Sequence, residues 1–172
     1  MKRVFDLANL ILLVLLGNTV YRAYPSLPAR IPIHFNLAGQ PDRWGGRGGL
    51  IALALVPVGL TALLYLVARF AIGRGAGARS VNIPHKEEFL RLPAEKQEIF
   101  WSVLRELLAG MAAAMNLLFY LIVGGTIRVA AGQASLVPFK LMAPALALLA
   151  AIMVVYFWRM MTLPGKLVRG EL

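Results

Sequence analysis

Cysteine is absent from this chain, and histidine and acid are scarce: its 172 residues include two histidines, His34 and His85, and eight carboxylates. The first absence excludes a disulfide framework, a thiol nucleophile and a thiolate metal site. The second leaves few groups for acid–base chemistry or metal ligation. Charge as a whole is thin, at 15% of residues, while 59% are apolar. A soluble domain carries about a quarter charged residues and just under half apolar ones. So apolar a chain is not disordered. Nor could a water-soluble globule of this size hide that much apolar surface. The composition is that of a membrane protein.

A membrane-crossing helix needs about 20 mostly apolar residues. Four stretches meet this, and we expect spans at approximately 4–22, 50–69, 104–127 and 141–158. The expected fold is all-α and integral to the membrane. It is one domain over 1–172, built as two helical hairpins with an outer loop at 24–49 and an inner loop at 69–105. No small-x-small cleavage pattern follows the first stretch, so it reads as an uncleaved signal anchor. Orientation follows Lys and Arg. With both termini inside, twelve lie inside and six outside, which predicts cytoplasmic termini. The formal charge of +10 is then a topology signal with contact to anionic lipid. No basic helix or interleaved aromatic platform is present, so nucleic acid is not an expected partner. The lipid bilayer is.

The outer loop reads YPSLPARIPIHFNLAGQPDRWGGRGG, with prolines at 25, 28, 32 and 41 discouraging helix. From Arg30 to Asn36 the residues alternate, which predicts an extended segment with Ile31, Ile33 and Phe35 on one face and Pro32, His34 and Asn36 on the other. Leu37–Asp42 reads as a turn, with Gly39 free to take positive φ. The turn can return Asp42 and Arg43 toward His34 and Asn36. Those four side chains with Gly39 form the candidate ligand-binding site. The other reading is structural, with Asn36 and Asp42 capping the turn through backbone bonds and His34 bonding a neighbouring loop. One histidine and one carboxylate fall short of the usual three protein ligands, so no metal is expected. No cofactor is expected either.

The run L-P-A-R-I-P-I-H-F-N-x-x-G-x-P-D-R-W-G, Leu27–Gly45, resembles the hallmark of a bacterial membrane domain of unknown function. That domain also forms the N-terminal part of SdpI-type immunity proteins, which protect cells from a sporulation-delay toxin. Asn82-Ile83-Pro84 is similar to an Asn-x-Pro element that members carry after the second span. The resemblance implies importance for Pro32, His34, Asn36, Gly39, Asp42, Asn82 and Pro84. It also implies a bacterial cytoplasmic (inner) membrane and a peptide toxin or small ligand as partner. The resemblance covers Leu27–Gly45 and, by pattern only, the flanking spans, roughly Leu10–Leu60.

In the inner loop, Gly73–Arg79 reads as a flexible basic linker, since no Gly-Lys-Ser/Thr follows its glycines. Pro93 suits a first helical position, and Ile99, Phe100, Val103, Leu104 and Leu107 continue at helical spacing into the third span. That predicts a helix emerging from the membrane as a solvated extension. No ionisable residue lies deep in any span, and Asp6 sits near the inner interface. Asn9, Asn18, Thr61 and Asn116 are expected to bond helix to helix. Ala109/Ala113 and Gly110/Ala114 allow close packing of the third helix, within the bundle or between copies as a homo-oligomer. No catalytic constellation is present: the serines lack a nucleophile elbow and no His-Glu-x-x-His occurs. The expected function is recognition of a ligand or membrane-active peptide by the outer loop, as toxin immunity or sensing. The alternatives are a small transporter or transporter subunit, and a membrane enzyme acting on a lipid-linked or cell-wall substrate.

Overall fold

The structure, a computed structural model, describes residues 1–72 and 81–172. The linker expected at Gly73–Arg79 lies outside the described residues. Helix α1 (Lys2–Ala23) is apolar and free of proline, and it stops where Pro25 begins a 3-10 turn over Tyr24–Ser26. Strands β1 (Arg30–Phe35) and β2 (Pro41–Gly46) form an antiparallel hairpin, which leads into α2 (Gly48–Phe70). A short α3 (Lys86–Leu90) precedes α4 (Ala94–Ala130). A 3-10 turn at Phe139–Leu141 leads to α5 (Ala143–Val168).

Helices α1, α2, α4 and α5 are long and apolar enough to cross a membrane. The outward faces of three of them are strongly apolar: Leu10, Val14, Leu55, Leu63, Val154 and Phe157 are all more than half exposed. The hydrocarbon of a bilayer covers such faces without cost. These are the helices of a multi-pass membrane protein.

The helices are longer than the apolar runs that announce them. At 1.5 Å per residue, the 37 residues of α4 extend about 55 Å, against a hydrocarbon layer of about 30 Å. Pro93 stands at the N-cap, one position earlier than its expected place in the first turn. At the far end Gly132, at φ 71°, closes α4, with the Gln133 amide donating to the Arg128 carbonyl over 2.9 Å. Helix α5 starts at Ala143, not Leu141, because Phe139–Leu141 is wound as a 3-10 turn. It then continues past Trp158 to Val168, with buried Pro164 inside it.

The four long helices do not share the packing equally. Helix α4 is the centre, with 39% of its most apolar stretch buried inside the chain against 11% for each of the others. Helices α1, α2 and α5 pack chiefly on α4, and α1 touches α2 only lightly. The small residues of α4 permit this, since Ala109, Gly110, Ala113 and Ala114 are all buried within the chain. A methyl group on Gly110 would stand 3.2 Å from the Phe5 ring and 3.3 Å from Ile152, so this crossing is tight.

The two ends of the bundle differ. The termini end gathers Ile72, Ile83, Phe89, Phe100, Trp101 and Leu167 into one core, with Phe89, Phe100 and Trp101 in mutual edge-to-face contact at 5.0–5.7 Å. The expected solvated extension is therefore corrected. The first turns of α4 bury aromatic side chains against α3 and the end of α5. The opposite end carries the β-hairpin.

Candidate functional site at the hairpin end

The turn between the strands is built from Asn36 and Gly39. The Asn36 side-chain oxygen accepts from the amides of Ala38 (2.9 Å) and Gln40 (3.0 Å), an Asx-type turn. The Asn36 amide donates to the Gln40 carbonyl (2.9 Å), and the Gly39 amide to the Asn36 carbonyl (2.8 Å). Gly39 sits at φ 78° and is buried, because the Val137 amide donates to its carbonyl over 2.8 Å. A Cβ on Gly39 would meet the Val137 carbonyl oxygen at 2.0 Å. The Val137 side chain in turn lies over Gly125 of α4, where a Cβ would stand 2.7 Å from it. Val137 is thus clasped between the hairpin turn and the central helix, and it ties the hairpin to the bundle.

The strands are out of simple register. Pro32 pairs with Trp44, His34 with Arg43, and Phe35 with Pro41. Ile33 is therefore an extra residue on β1 and Asp42 an extra residue on β2. Two opposed bulges break the alternation expected from Arg30 to Asn36. Ile31 and Pro32 are both buried, while Ile33 is 49% exposed and rests over Gly45 and Gly49. The expectation that Ile31, Ile33 and Phe35 share one face is corrected by this shift. Gly45 and Gly46 are the last two residues of β2.

Across the hairpin His34 and Asp42 meet, with Nδ1 of His34 2.6 Å from Oδ1 of Asp42. Both side chains are largely exposed, at 60% and 42%. An ionised carboxylate only accepts, so Nδ1 carries the proton and Nε2 is the ring nitrogen left for another partner. Arg43 is exposed beside them in the ladder and has no ion pair among the described residues. Asp42 does not cap the turn; that task falls to Asn36. His34 and Asp42 supply two donor groups for a metal, and no third His, Asp or Glu gathers with them among the described residues.

Beneath the hairpin lies a groove of about 560 Å³. Its floor is Ile122 and Thr126 of α4, one wall is Leu53 and Val56 of α2, and the other is Val137 and Phe139. Strand β1 roofs it with Ile31–Phe35, so His34 lies at its edge. The Thr126 hydroxyl donates to the Ile122 carbonyl (2.9 Å), leaving the histidine as the polar side chain available to an occupant. Nothing in the linear sequence marks this groove, because its lining comes from four separate segments.

Asn82 and Pro84 are not part of this site. They lie at the termini end, Asn82 exposed, and the buried Ile83 between them anchors the aromatic core. Pro84 precedes His85, which adopts a left-handed conformation at φ 54° and faces Glu88 at 3.5 Å.

A chain of polar contacts joins α1, α2 and α4 along the bundle. The Thr61 hydroxyl donates to Asn116 (3.2 Å), Asn116 to Asn9 (2.7 Å), Asn9 to the Tyr65 hydroxyl (3.2 Å), and Tyr65 to Asp6 (2.5 Å). Asn9 also donates to the Ala109 carbonyl (2.9 Å). No buried side-chain nitrogen or oxygen is left without a partner among the described residues. The expected helix-to-helix bonding by Asn9, Thr61 and Asn116 is observed. Asn18 instead accepts from Arg22 on its own helix (3.1 Å).

Residues 10–61 match the family described as Domain of unknown function (DUF1648). The match takes in most of α1, the whole hairpin and the first half of α2, so the conspicuous loop motif falls inside it. A curated Archaeoglobus fulgidus protein, described as an uncharacterized protein, is 31% identical over 86 residues, or 50% of this chain. The matched part is 43% of that relative's length, so the chain spans less than half of it. No solved structure matches the chain. Neither description names an activity.

Proposed function

We propose that the hairpin end recognises an amphipathic, membrane-active peptide, and that the protein serves in immunity to such a peptide or in sensing it. The observation that carries this reading is the apolar groove whose lining includes His34, the residue that Asp42 contacts. Such a groove suits the apolar side chains of a peptide that partitions into the bilayer. The imidazole Nε2 and the Arg43 guanidinium suit its backbone carbonyls or carboxylate. In this reading the hairpin faces outward from a bacterial cytoplasmic membrane and both termini are cytoplasmic, as the Lys and Arg distribution favours. Likeness to the SdpI-type immunity proteins through the Leu27–Gly45 motif supports the immunity version. A transporter is less favoured, because Asn9, Thr61 and Asn116 spend their polar groups on one another within the bundle. The membrane-enzyme reading is less favoured, because no serine or threonine hydroxyl bonds His34 among the described residues.

The test is growth under a panel of envelope-active peptides, with the gene present, absent, or carrying His34→Gln or Asp42→Asn. An exposed ion pair contributes about 0–1 kcal/mol to stability, so both variants should reach normal membrane abundance. Resistance that needs the gene and is lost in both variants is the expected result. Equal growth with and without the gene across the panel, with the protein present, would refute immunity.

A further inference from the structure

We propose that a second cleft, at the termini end, binds the phosphate of an anionic phospholipid headgroup. The cleft holds about 420 Å³ between the start of α1, the last turns of α2 and the emerging part of α4. Its lining includes Lys2, Tyr65, Ala68, Arg69, Glu98 and Arg105, three cations to one acid.

Two of those cations are already engaged. Lys2 Nζ donates to Asp6 (2.9 Å) and stands 5.8 Å from the centre of the Tyr65 ring. Arg105 donates to Glu98. The third, Arg69, lies over the Phe70 ring at 5.6 Å and has no carboxylate partner among the described residues. Asp6 makes no bond to it and accepts instead from the Tyr65 hydroxyl and Lys2, one on each oxygen. A guanidinium without a counter-ion is left at a cleft between membrane helices.

The depth of the cleft selects the anion. Arg69 follows Val67-Ala68 in the last turn of α2, where the apolar run ends, and Phe70 beside it is 65% exposed. Ala68 and Ile72 give the cleft an apolar side. Phosphodiesters of lipids stand at this level, with acyl chains running alongside the helix. Basic pockets between membrane helices suit anionic headgroups, and a guanidinium fork suits phosphate oxygens. A zwitterionic headgroup brings its own cation and gains less. This site is remote from the hairpin and does not depend on the function proposed there.

Thermal unfolding of the purified full chain in detergent tests the assignment, with phosphatidylglycerol, phosphatidylcholine or inorganic phosphate added. Phosphatidylglycerol should raise Tm, phosphatidylcholine at equal concentration should not, and high salt should reduce the shift. The shift should be lost in Arg69→Gln, persist in Arg69→Lys, and persist in Arg30→Gln at the opposite end. An undiminished shift in Arg69→Gln would overturn the site. Inorganic phosphate alone reproducing the full shift would overturn the lipid and make the ligand a free anion. Should Arg69→Gln fail to fold, native mass spectrometry of the unaltered chain decides: preferential retention of phosphatidylglycerol supports the site, and equal retention of the two lipids overturns it.

Discussion

Replacing Gly39 with alanine should release the hairpin from the bundle, whereas the same change at Gly132 should not. Both glycines hold positive φ, 78° and 71°. Alanine in that conformation costs about 1–2 kcal/mol at either position. The surroundings then separate them. A Cβ at Gly132 meets nothing within 4 Å, while one at Gly39 meets the Val137 carbonyl oxygen at 2.0 Å. That contact is backbone on both sides and cannot be relieved by a rotamer change, so the turn must lift away. Lifting breaks the bond from the Val137 amide to the Gly39 carbonyl, worth about 1 kcal/mol net. It also uncovers part of Val137, now 3% exposed, at about 1 kcal/mol for half of a valine's burial. The difference between the variants is thus about 2 kcal/mol, more than tenfold in the opening equilibrium. Hydrogen exchange of the Val137 amide in detergent micelles reads it directly. Exchange should accelerate more than tenfold in Gly39→Ala and stay near the unaltered rate in Gly132→Ala. Equal exchange in the two variants would refute the docking of turn to bundle.

Three further outcomes are expected. Asn116→Ala removes the bond to Asn9 and leaves the Thr61 hydroxyl to find another partner; it should lower stability by about 0.6–1.7 kcal/mol, read by unfolding in mixed micelles, and more than Thr61→Val does. Phe89→Ala opens the aromatic core at the termini end and should cost about 3–5 kcal/mol, while Phe157→Ala on a lipid-facing surface should cost under about 1 kcal/mol. For sidedness, reporter fusions at the C-terminus should be active inside and those at Gly46 outside. The reverse pattern would turn the hairpin to the cytoplasm.

Much of this architecture is legible in the residues because the bilayer imposes a local rule. A segment that crosses hydrocarbon must be apolar for about 20 residues and must satisfy its own backbone, so composition alone marks the four helices. The Asn36–Gly39 turn is legible for a similar reason, since an Asx bond and a positive φ involve only neighbours in the chain. The return of Asp42 to His34 follows from the turn. Contacts between distant segments obey no such rule. Helix α4 became the centre through small residues whose partners, Phe5 and Ile152, lie on other helices. Two opposed bulges moved Ile33 off the buried face because Gly45 and Gly49 leave room for it, and an alternating pattern carries no sign of that. Val137, an ordinary loop residue in the sequence, joins hairpin to bundle because Gly39 and Gly125 approach it from either side. Local backbone chemistry and the hydrocarbon layer set the elements. Which side chains meet across them, and so where the groove and the cleft lie, was decided by the fit of small residues against large ones between helices.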